Sequence, residues 1–147
     1  MRTLVTFESS AFNTTESKQY FVNPRNYGDD VAKWMIAALQ KAGVQTDDEP
    51  GQEDFGWYFE FRVPEGQHCA AVGFRPGDPA PQGCWIAWIE RSRGLLGSLS
   101  GGRQRGIAAS AAAAIHATLQ SAEIRNIRWH EKKDFDAMRE ALGAETP

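Results

Sequence analysis

The chain has few cysteines, no long apolar run and no apolar leader. Only two cysteines, Cys69 and Cys84, occur among its 147 residues, so the disulfide framework of a small secreted domain is not expected. We expect two free thiols in a reducing compartment, and a disulfide is the alternative if the two cysteines lie on neighbouring strands. No stretch approaches the ~20 apolar residues that span a bilayer, and residues 1–8 lack the apolar core of a signal peptide. These absences predict a cytoplasmic protein without a membrane partner.

The chain also lacks an excess of basic residues. Its 16 Lys and Arg residues against 19 Asp and Glu residues give a formal net charge of −3. General nucleic-acid binders usually carry a basic excess, so nucleic acid is not expected as a partner. A local cluster of arginines is still compatible with this balance.

Common catalytic and metal-binding motifs are missing as well. The sequence contains no Gly-x-Ser-x-Gly elbow, no P-loop ending and no Asp-x-Asp-x-Asp-Gly loop. None of the three histidines, His68, His116 and His130, pairs with another at metal-ligand spacing. His68 and Cys69 are neighbours, so in a strand they point to opposite faces. We therefore assign no catalytic residue, no metal site and no cofactor, and favour a protein that is not an enzyme.

What is present is the composition of a folded domain. Hydrophobic residues make up 41% of the chain and charged residues 24%, which is ordinary for a globular protein. Five Trp, eight Phe and three Tyr predict a core built around aromatic side chains. We expect one globular domain over residues 1–147, in which 143–147 form a loose tail.

Helical spacing of apolar residues predicts two to three helices. The clearest covers 29–42, where carboxylates at the start suit the positive end of the helix dipole and Gly43 follows the end. An alanine-rich helix is predicted over 107–120 and a short one over 134–142, with its apolar side chains on one face.

Alternating apolar residues predict the strands. The clearest strand covers 57–63, and 68–74 should pair with it as a hairpin. Residues 84–90 are apolar on both faces, which predicts a central strand covered on each side. Further strand candidates are 4–7, 124–130 and a short extended piece at 20–22.

The resulting order of elements is β-α-β-β-β-α-β-α. Because several strands follow one another between helices, we expect an α+β fold rather than a doubly wound one. The specific prediction is a mostly antiparallel sheet of four to five strands with two to three helices packed on one face.

Five segments together resemble a family of small bacterial proteins of uncharacterised function. They are YFVNP at 20–24, YGDDVAKW at 27–34, QEDFGW at 52–57, RSRGLLG at 91–97 and IRWH at 127–130. The resemblance covers most of the chain and implies a bacterial, stand-alone, single-domain protein. It implies no activity and no catalytic residue.

An acidic loop before the clearest strand is the first candidate site. It contains Glu53 and Asp54, followed by Trp57. Adjacent carboxylates near aromatic rings suit a metal ion or acid–base work. A solvated acidic turn is the plainer interpretation. The third interpretation is a docking surface for a basic partner.

A basic, glycine-rich loop over 91–106 is the second candidate. Arg91, Arg93, Arg103 and Arg105 occur there without an acidic residue. Arginine forks, glycine-rich backbone and a helix start together suit a phosphate or carboxylate. The alternatives are a surface loop kept in solution by arginine, or a protein contact.

Two functional classes follow from these candidates. The first is a non-catalytic protein-binding module, such as a bacterial immunity protein or adaptor, that binds through Glu53, Asp54, Trp57 and the arginines. The second is a protein or enzyme that binds a small anion at the basic loop. A small domain with exposed aromatic and leucine side chains also allows a homodimer.

Overall fold

The computed structural model describes residues 1–76, 84–92 and 105–147. These residues form seven strands, three α-helices and a short 3₁₀ helix, Glu140–Leu142. The strands are β1 Leu4–Glu8, β2 Gln45–Thr46, β3 Gly51–Glu53, β4 Gly56–Val63, β5 Gly66–Arg75, β6 Cys84–Arg91 and β7 Arg125–His130. The helices are α1 Asp29–Lys41, α2 Ala109–Leu119 and α3 Lys132–Asp136.

All seven strands belong to one antiparallel sheet. The order across it is β2-β4-β5-β6-β1-β7, and β3 pairs with β4 beside β2. The predicted α+β class and antiparallel sheet are confirmed, and β6 is central as expected. The predicted count of four to five strands and the predicted order of elements are wrong.

The two extra strands arise from the acidic segment that the sequence analysis treats as a loop. β2 and β3 have two and three residues, which is too short for an alternating pattern to show. They form because the outer edge of β4 offers backbone hydrogen-bonding groups, as when the Asp47 amide donates to the Glu60 carbonyl. The extended piece expected at 20–22 is not a strand, and its Phe21 packs on Trp57 instead.

α1 and α2 cover one face of the sheet, and the core lies beneath them. Side chains pointing to this face alternate along each strand, as Trp57, Phe59 and Phe61 do on β4. Gly28 is the N-cap of α1; its φ of +126° favours glycine, and a Cβ there would lie 3.4 Å from the Trp57 indole and 3.5 Å from that of Trp85. The predicted α1 is correct to within a residue at its C-terminal end.

α3 lies on the opposite face, so the expectation that all helices pack on one face is wrong. The Phe135 ring lies 5.5 Å from the ring of His130, which points away from α1 and α2. The apolar face predicted over 134–142 does not form either. α3 ends at Asp136, Met138 has a φ of +58°, and the Met138 and Leu142 side chains are 90% and 60% exposed.

The C-terminal residues return to the sheet. The Trp129 amide donates to the Ala144 carbonyl at 2.6 Å, and the Ala144 amide donates to the Trp129 carbonyl at 2.9 Å. Within the segment 143–147, Ala144 is therefore held by the edge of β7.

The two cysteines are far apart. Cys69 pairs with Glu90 across β5 and β6, whereas Cys84 pairs with Arg75. Six residues of β5 separate these positions, which is about 20 Å at the rise of an extended strand. A disulfide needs Cα atoms within about 7 Å, so Cys69 and Cys84 are not joined by one.

The longest α-helix of the described ranges has 13 residues. None of the helices in these ranges is both long and apolar enough to span a bilayer.

Candidate functional site

A trough runs along β5 on the sheet face that α1 and α2 leave uncovered. It exists because the middle of β5 presents small residues to this face, Cys69, Ala71 and Gly73, between larger side chains of β4 and β6. Its volume is about 430 Å³. We call this depression the trough.

An aromatic row crosses one part of the trough. Tyr58 of β4, Ala71 of β5 and Trp88 of β6 lie side by side in the strand register. Phe55, from the β3–β4 turn, places its ring 5.2 Å from the Trp88 ring. Its carbonyl oxygen would lie 2.9 Å from a Cβ atom at Gly73, so the glycine lets the turn close over this end of the trough.

An acidic row crosses the next part of the trough. Glu60, Cys69 and Glu90 are register neighbours, so the two glutamates flank the small cysteine on strands about 10 Å apart. Glu53 adds a third carboxylate to the lining. Three carboxylates and three aromatic rings therefore line one concave space. Arg91 belongs to the same lining, and its guanidinium is directed to the Glu65 carbonyl and to His68.

Neutral groups hold the Glu60 carboxylate in place. The Ser92 hydroxyl donates to one oxygen at 3.0 Å, and the Gln67 amide donates to the other at 3.2 Å. Because both donors are uncharged, they orient the carboxylate without cancelling its charge. Glu60 and Glu90 are half-buried, where a charge is screened less than on an open surface.

This arrangement favours a cation. A guanidinium or ammonium group between the glutamates would form charge-assisted hydrogen bonds, and the aromatic faces nearby attract the same charge. A metal ion fits the geometry less well. In residues 1–76, 84–92 and 105–147, no group of three or more His, Cys, Asp or Glu side chains converges as metal ligands would.

The structure separates the three residues predicted at the acidic loop. Glu53 lines the trough. Asp54 lies in the β3–β4 turn, where its carbonyl and that of Glu53 accept hydrogen bonds from the Asn26 side chain. Trp57 is 4% exposed on the helix-covered face, and its indole N–H donates to the Asn26 carbonyl at 2.8 Å. Trp57 therefore belongs to the core and supports the turn from below.

The residues of the predicted anion site are described only in part. Arg93 and Arg103 lie outside the described residues. The guanidinium of Arg91 donates to the Glu65 carbonyl at 2.5 Å and approaches Nε2 of His68 at 3.4 Å. Arg91 thus clamps the β4–β5 turn, and an anion site formed with Arg105 stays a prediction.

Sequence reasoning missed most of the trough. The alternation along β4 already placed Tyr58 and Glu60 on the face opposite the core, and that signal identifies them in retrospect. Trp88 and Glu90 carry no such signal, because β6 is apolar on both faces. Only the register of three strands brings them beside Tyr58 and Glu60.

Two of the histidines hold parts of the framework together through hydrogen bonds. His68 is fully buried; its Nδ1–H donates to the Gly66 carbonyl at 3.0 Å, and its Nε2 accepts the Ala108 amide at 3.1 Å. Burial lowers the pKa of His68, and the nearby Arg91 charge lowers it further. The ring is therefore neutral and joins β5 to the start of α2. In the same way, Nδ1 of His116 accepts the Trp129 indole N–H at 3.0 Å.

His130 is also buried, on the face occupied by α3. Its Nε2 lies 2.9 Å from the Thr6 hydroxyl oxygen, and its Nδ1 has no hydrogen-bond partner among the described residues. Burial lowers the pKa of His130, partly opposed by the charge of Glu140. Glu140 is paired with Arg75 at 2.5 Å.

A second depression adjoins the trough beneath α3. Its volume is about 310 Å³, and we call it the α3 pocket. Its wall is formed by β1, β6 and α3 through Thr3, Leu4, Ile86, Trp88, Lys132, Phe135 and Asp136. Trp88 is shared with the trough, so the indole stands between the two depressions.

No family model, no curated protein and no solved structure matches the chain. Function must therefore be argued from the geometry of the site. The resemblance to small bacterial proteins stays a prediction.

Proposed function

We propose that this chain is a non-catalytic protein-binding module that recognises a basic segment of a partner protein in the trough. The observation that carries the proposal is the juxtaposition of the acidic row and the aromatic row on the sheet face opposite α1 and α2. An adaptor or an immunity protein is the class of module that we propose.

Shape supports binding of a side chain rather than of a flat surface alone. The small residues of β5 leave room for a lysine or arginine side chain to lie along the strand between Tyr58 and Trp88. Its methylene groups would contact the rings while its charged end reaches the glutamates, as long basic side chains do at other interfaces.

Electrostatics supports the same ligand. Glu60 is fixed by uncharged donors, so its geometry exists before the partner arrives. A preorganised carboxylate loses little conformational entropy on binding, which favours affinity. The net charge of −3 also favours encounter with a basic partner over an acidic one.

The test is quantitative capture of proteins from a lysate of the source cells. Three immobilised proteins are compared: wild type, Glu60→Gln and Glu123→Gln. Glu123 lies in the turn between α2 and β7, at the other edge of the sheet, and Glu123→Gln is the same chemical change away from the trough. We expect wild type and Glu123→Gln to retain the same basic protein, which high salt releases.

We expect Glu60→Gln to retain roughly tenfold less of it, since a hydrogen bond to a charged group contributes about 1.5–3 kcal/mol. Equal retention by Glu60→Gln and wild type would contradict the proposal. Retention of acidic proteins through a site insensitive to Glu60 would instead favour the anion-binding alternative.

A further inference from the structure

The trough and the α3 pocket form one continuous surface with two chemical ends. Trp88 contributes to both depressions. The trough end is lined by three carboxylates and by Arg91, whose guanidinium donates to the Glu65 carbonyl. The other end is bounded by aliphatic and aromatic groups of Leu4, Ile86 and Phe135.

The charges at the α3 pocket are already paired with each other. The Lys132 ammonium lies 2.5 Å from the Asp136 carboxylate, an i,i+4 pair along α3. An entering group therefore meets no unbalanced charge from this pair, and burial of apolar surface is the main gain there. A leucine or phenylalanine side chain is small enough to enter a depression of about 310 Å³.

The spacing between the two ends follows from the strand register. Cys69 of β5 marks the middle of the acidic row, and the midpoint between Trp88 of β6 and Leu4 of β1 marks the α3 pocket. The two points are two residues apart along the strands and about one and a half strand spacings apart across them. At ~3.3 Å per residue and ~4.8 Å between strands, the two ends lie about 10 Å apart.

An extended peptide meets this spacing with two side chains on the same side. Residues i and i+2 of a strand point the same way and have Cα atoms ~7 Å apart. The rest of the distance between the two ends is spanned because a lysine or arginine side chain is longer than a leucine side chain. The side chains of residues i and i+1 point to opposite sides of the peptide, so they cannot occupy both ends of the surface.

Resting on the function proposed above, we propose that the partner segment is bipartite. It is an extended peptide with a lysine or arginine in the trough and, two residues away, an aliphatic or aromatic side chain in the α3 pocket. The carboxylates of the trough attract basic segments during the encounter, and the α3 pocket discriminates among them by their apolar residue.

The test is selection of random peptides displayed on phage against immobilised wild type, Glu60→Gln and Ile86→Thr. Ile86 is half-buried, and threonine keeps its β-branched shape while replacing the ethyl group with a hydroxyl. We expect wild type to enrich peptides with a basic residue and an apolar residue two positions apart. Ile86→Thr should keep the basic preference and lose the apolar one, and Glu60→Gln should lose the basic preference.

A selected peptide is then synthesised in three forms and its dissociation constant measured. Replacing the apolar residue with serine should weaken binding to wild type about tenfold, and moving it next to the basic residue should weaken binding as much. These two comparisons use the unaltered protein, so they hold even if Ile86→Thr does not fold.

The outcomes distinguish the two proposals. Enrichment of basic residues without an apolar residue at fixed spacing, together with an unchanged dissociation constant for the serine form, would overturn the bipartite ligand and leave the proposed function standing. Selection without any basic preference in wild type would overturn both.

Discussion

Acidification is predicted to destabilise the protein through His68. Its Nε2 accepts the Ala108 amide at the start of α2, and its Nδ1–H donates to Gly66. A proton on Nε2 would place two N–H groups against each other and bring a charge into a fully buried position beside Arg91. The native state therefore disfavours protonated His68.

The direction of the stability change and the pH range in which it occurs follow from the pKa of His68. Burial holds the pKa of His68 in the folded protein below its ordinary value of 6.5, so the unfolded chain takes up the proton first. The stability contributed by neutral His68 is full above pH ~6.5 and falls as the pH drops below it, by at most about 1.4 kcal/mol per pH unit. The loss stops once the pH reaches the pKa of the folded state.

Three other titratable groups with shifted pKa values differ from His68 in the sign of their effect on stability or in the pH at which they act, or add to it. His130 also has a lowered pKa and contributes with the same sign. Asp30 has a raised pKa, caused first by burial, so its protonation favours the folded state and acts in the opposite sense. Glu140 has a pKa lowered by Arg75, and its contribution is lost only below its ordinary value of 4.5. On acidification from pH ~6.5 to ~5 the two histidines therefore lower the stability, Asp30 opposes them, and the contribution of Glu140 is still retained.

The assay is urea unfolding of wild type and His68→Phe at several pH values. Phenylalanine leaves the Ala108 amide and the Gly66 carbonyl without this partner, and about 1–3 kcal/mol for each group predicts a loss of about 2–6 kcal/mol at neutral pH. The pH dependence between ~7 and ~5 should be reduced in the variant, leaving the share of His130. A wild-type free energy of unfolding that stays flat over this interval, or an equal slope in both proteins, would refute the reasoning.

Two further predictions concern the backbone and a tyrosine. Gly56→Ala should destabilise by about 2–5 kcal/mol, because φ is +142° and the new Cβ would lie 2.1 Å from the Val72 carbonyl oxygen. Gly43→Ala, at φ +84° with open space around it, should lose only about 1–2 kcal/mol, and equal losses in urea unfolding would contradict the clash. The hydrogen bond from the Tyr20 hydroxyl to Asp29 raises the pKa of Tyr20 to about 12. Ultraviolet titration of Asp29→Asn should move one tyrosine towards its ordinary value of 10.0, and an unchanged titration curve would exclude this cause.

The parts of the fold that follow from the sequence are those with long, regular patterns. β4 alternates over eight residues and α1 repeats its apolar stripe over 13, and both were predicted to within one residue at each end. β2 and β3 were not predicted, because two or three polar residues are too few to show an alternating pattern. Their pairing is decided by the free edge of β4, which belongs to the tertiary structure.

The helix predicted over 134–142 was wrong for a different reason. Phe135, Met138 and Leu142 have the spacing of an amphipathic helix, yet only Phe135 finds a packing partner, on His130. Spacing predicts a helix only where a complementary surface receives the stripe. Here the salt bridge of Arg75 with Glu140 and the pairing of Ala144 with β7 set the path of the chain instead.

The candidate site was predictable only in its chemistry. The acidic loop suggests a basic partner as one interpretation, which stays a prediction, and Glu53 lines the trough. The two glutamates of the acidic row lie 30 residues apart in the sequence and meet through β5. Strand order and register place them together, and neither is encoded in a local pattern.

The most direct test of the central claim is a map of the binding face by amide chemical shifts. A peptide obtained by the selection described above is titrated into ¹⁵N-labelled protein, with Glu60→Gln and Glu123→Gln as the matched pair. We predict shifts concentrated at 58–60, 69–71 and 88–90 in wild type and Glu123→Gln, and strongly reduced in Glu60→Gln. Shifts concentrated on α1 and α2, or unchanged by Glu60→Gln, would contradict the trough as the binding site.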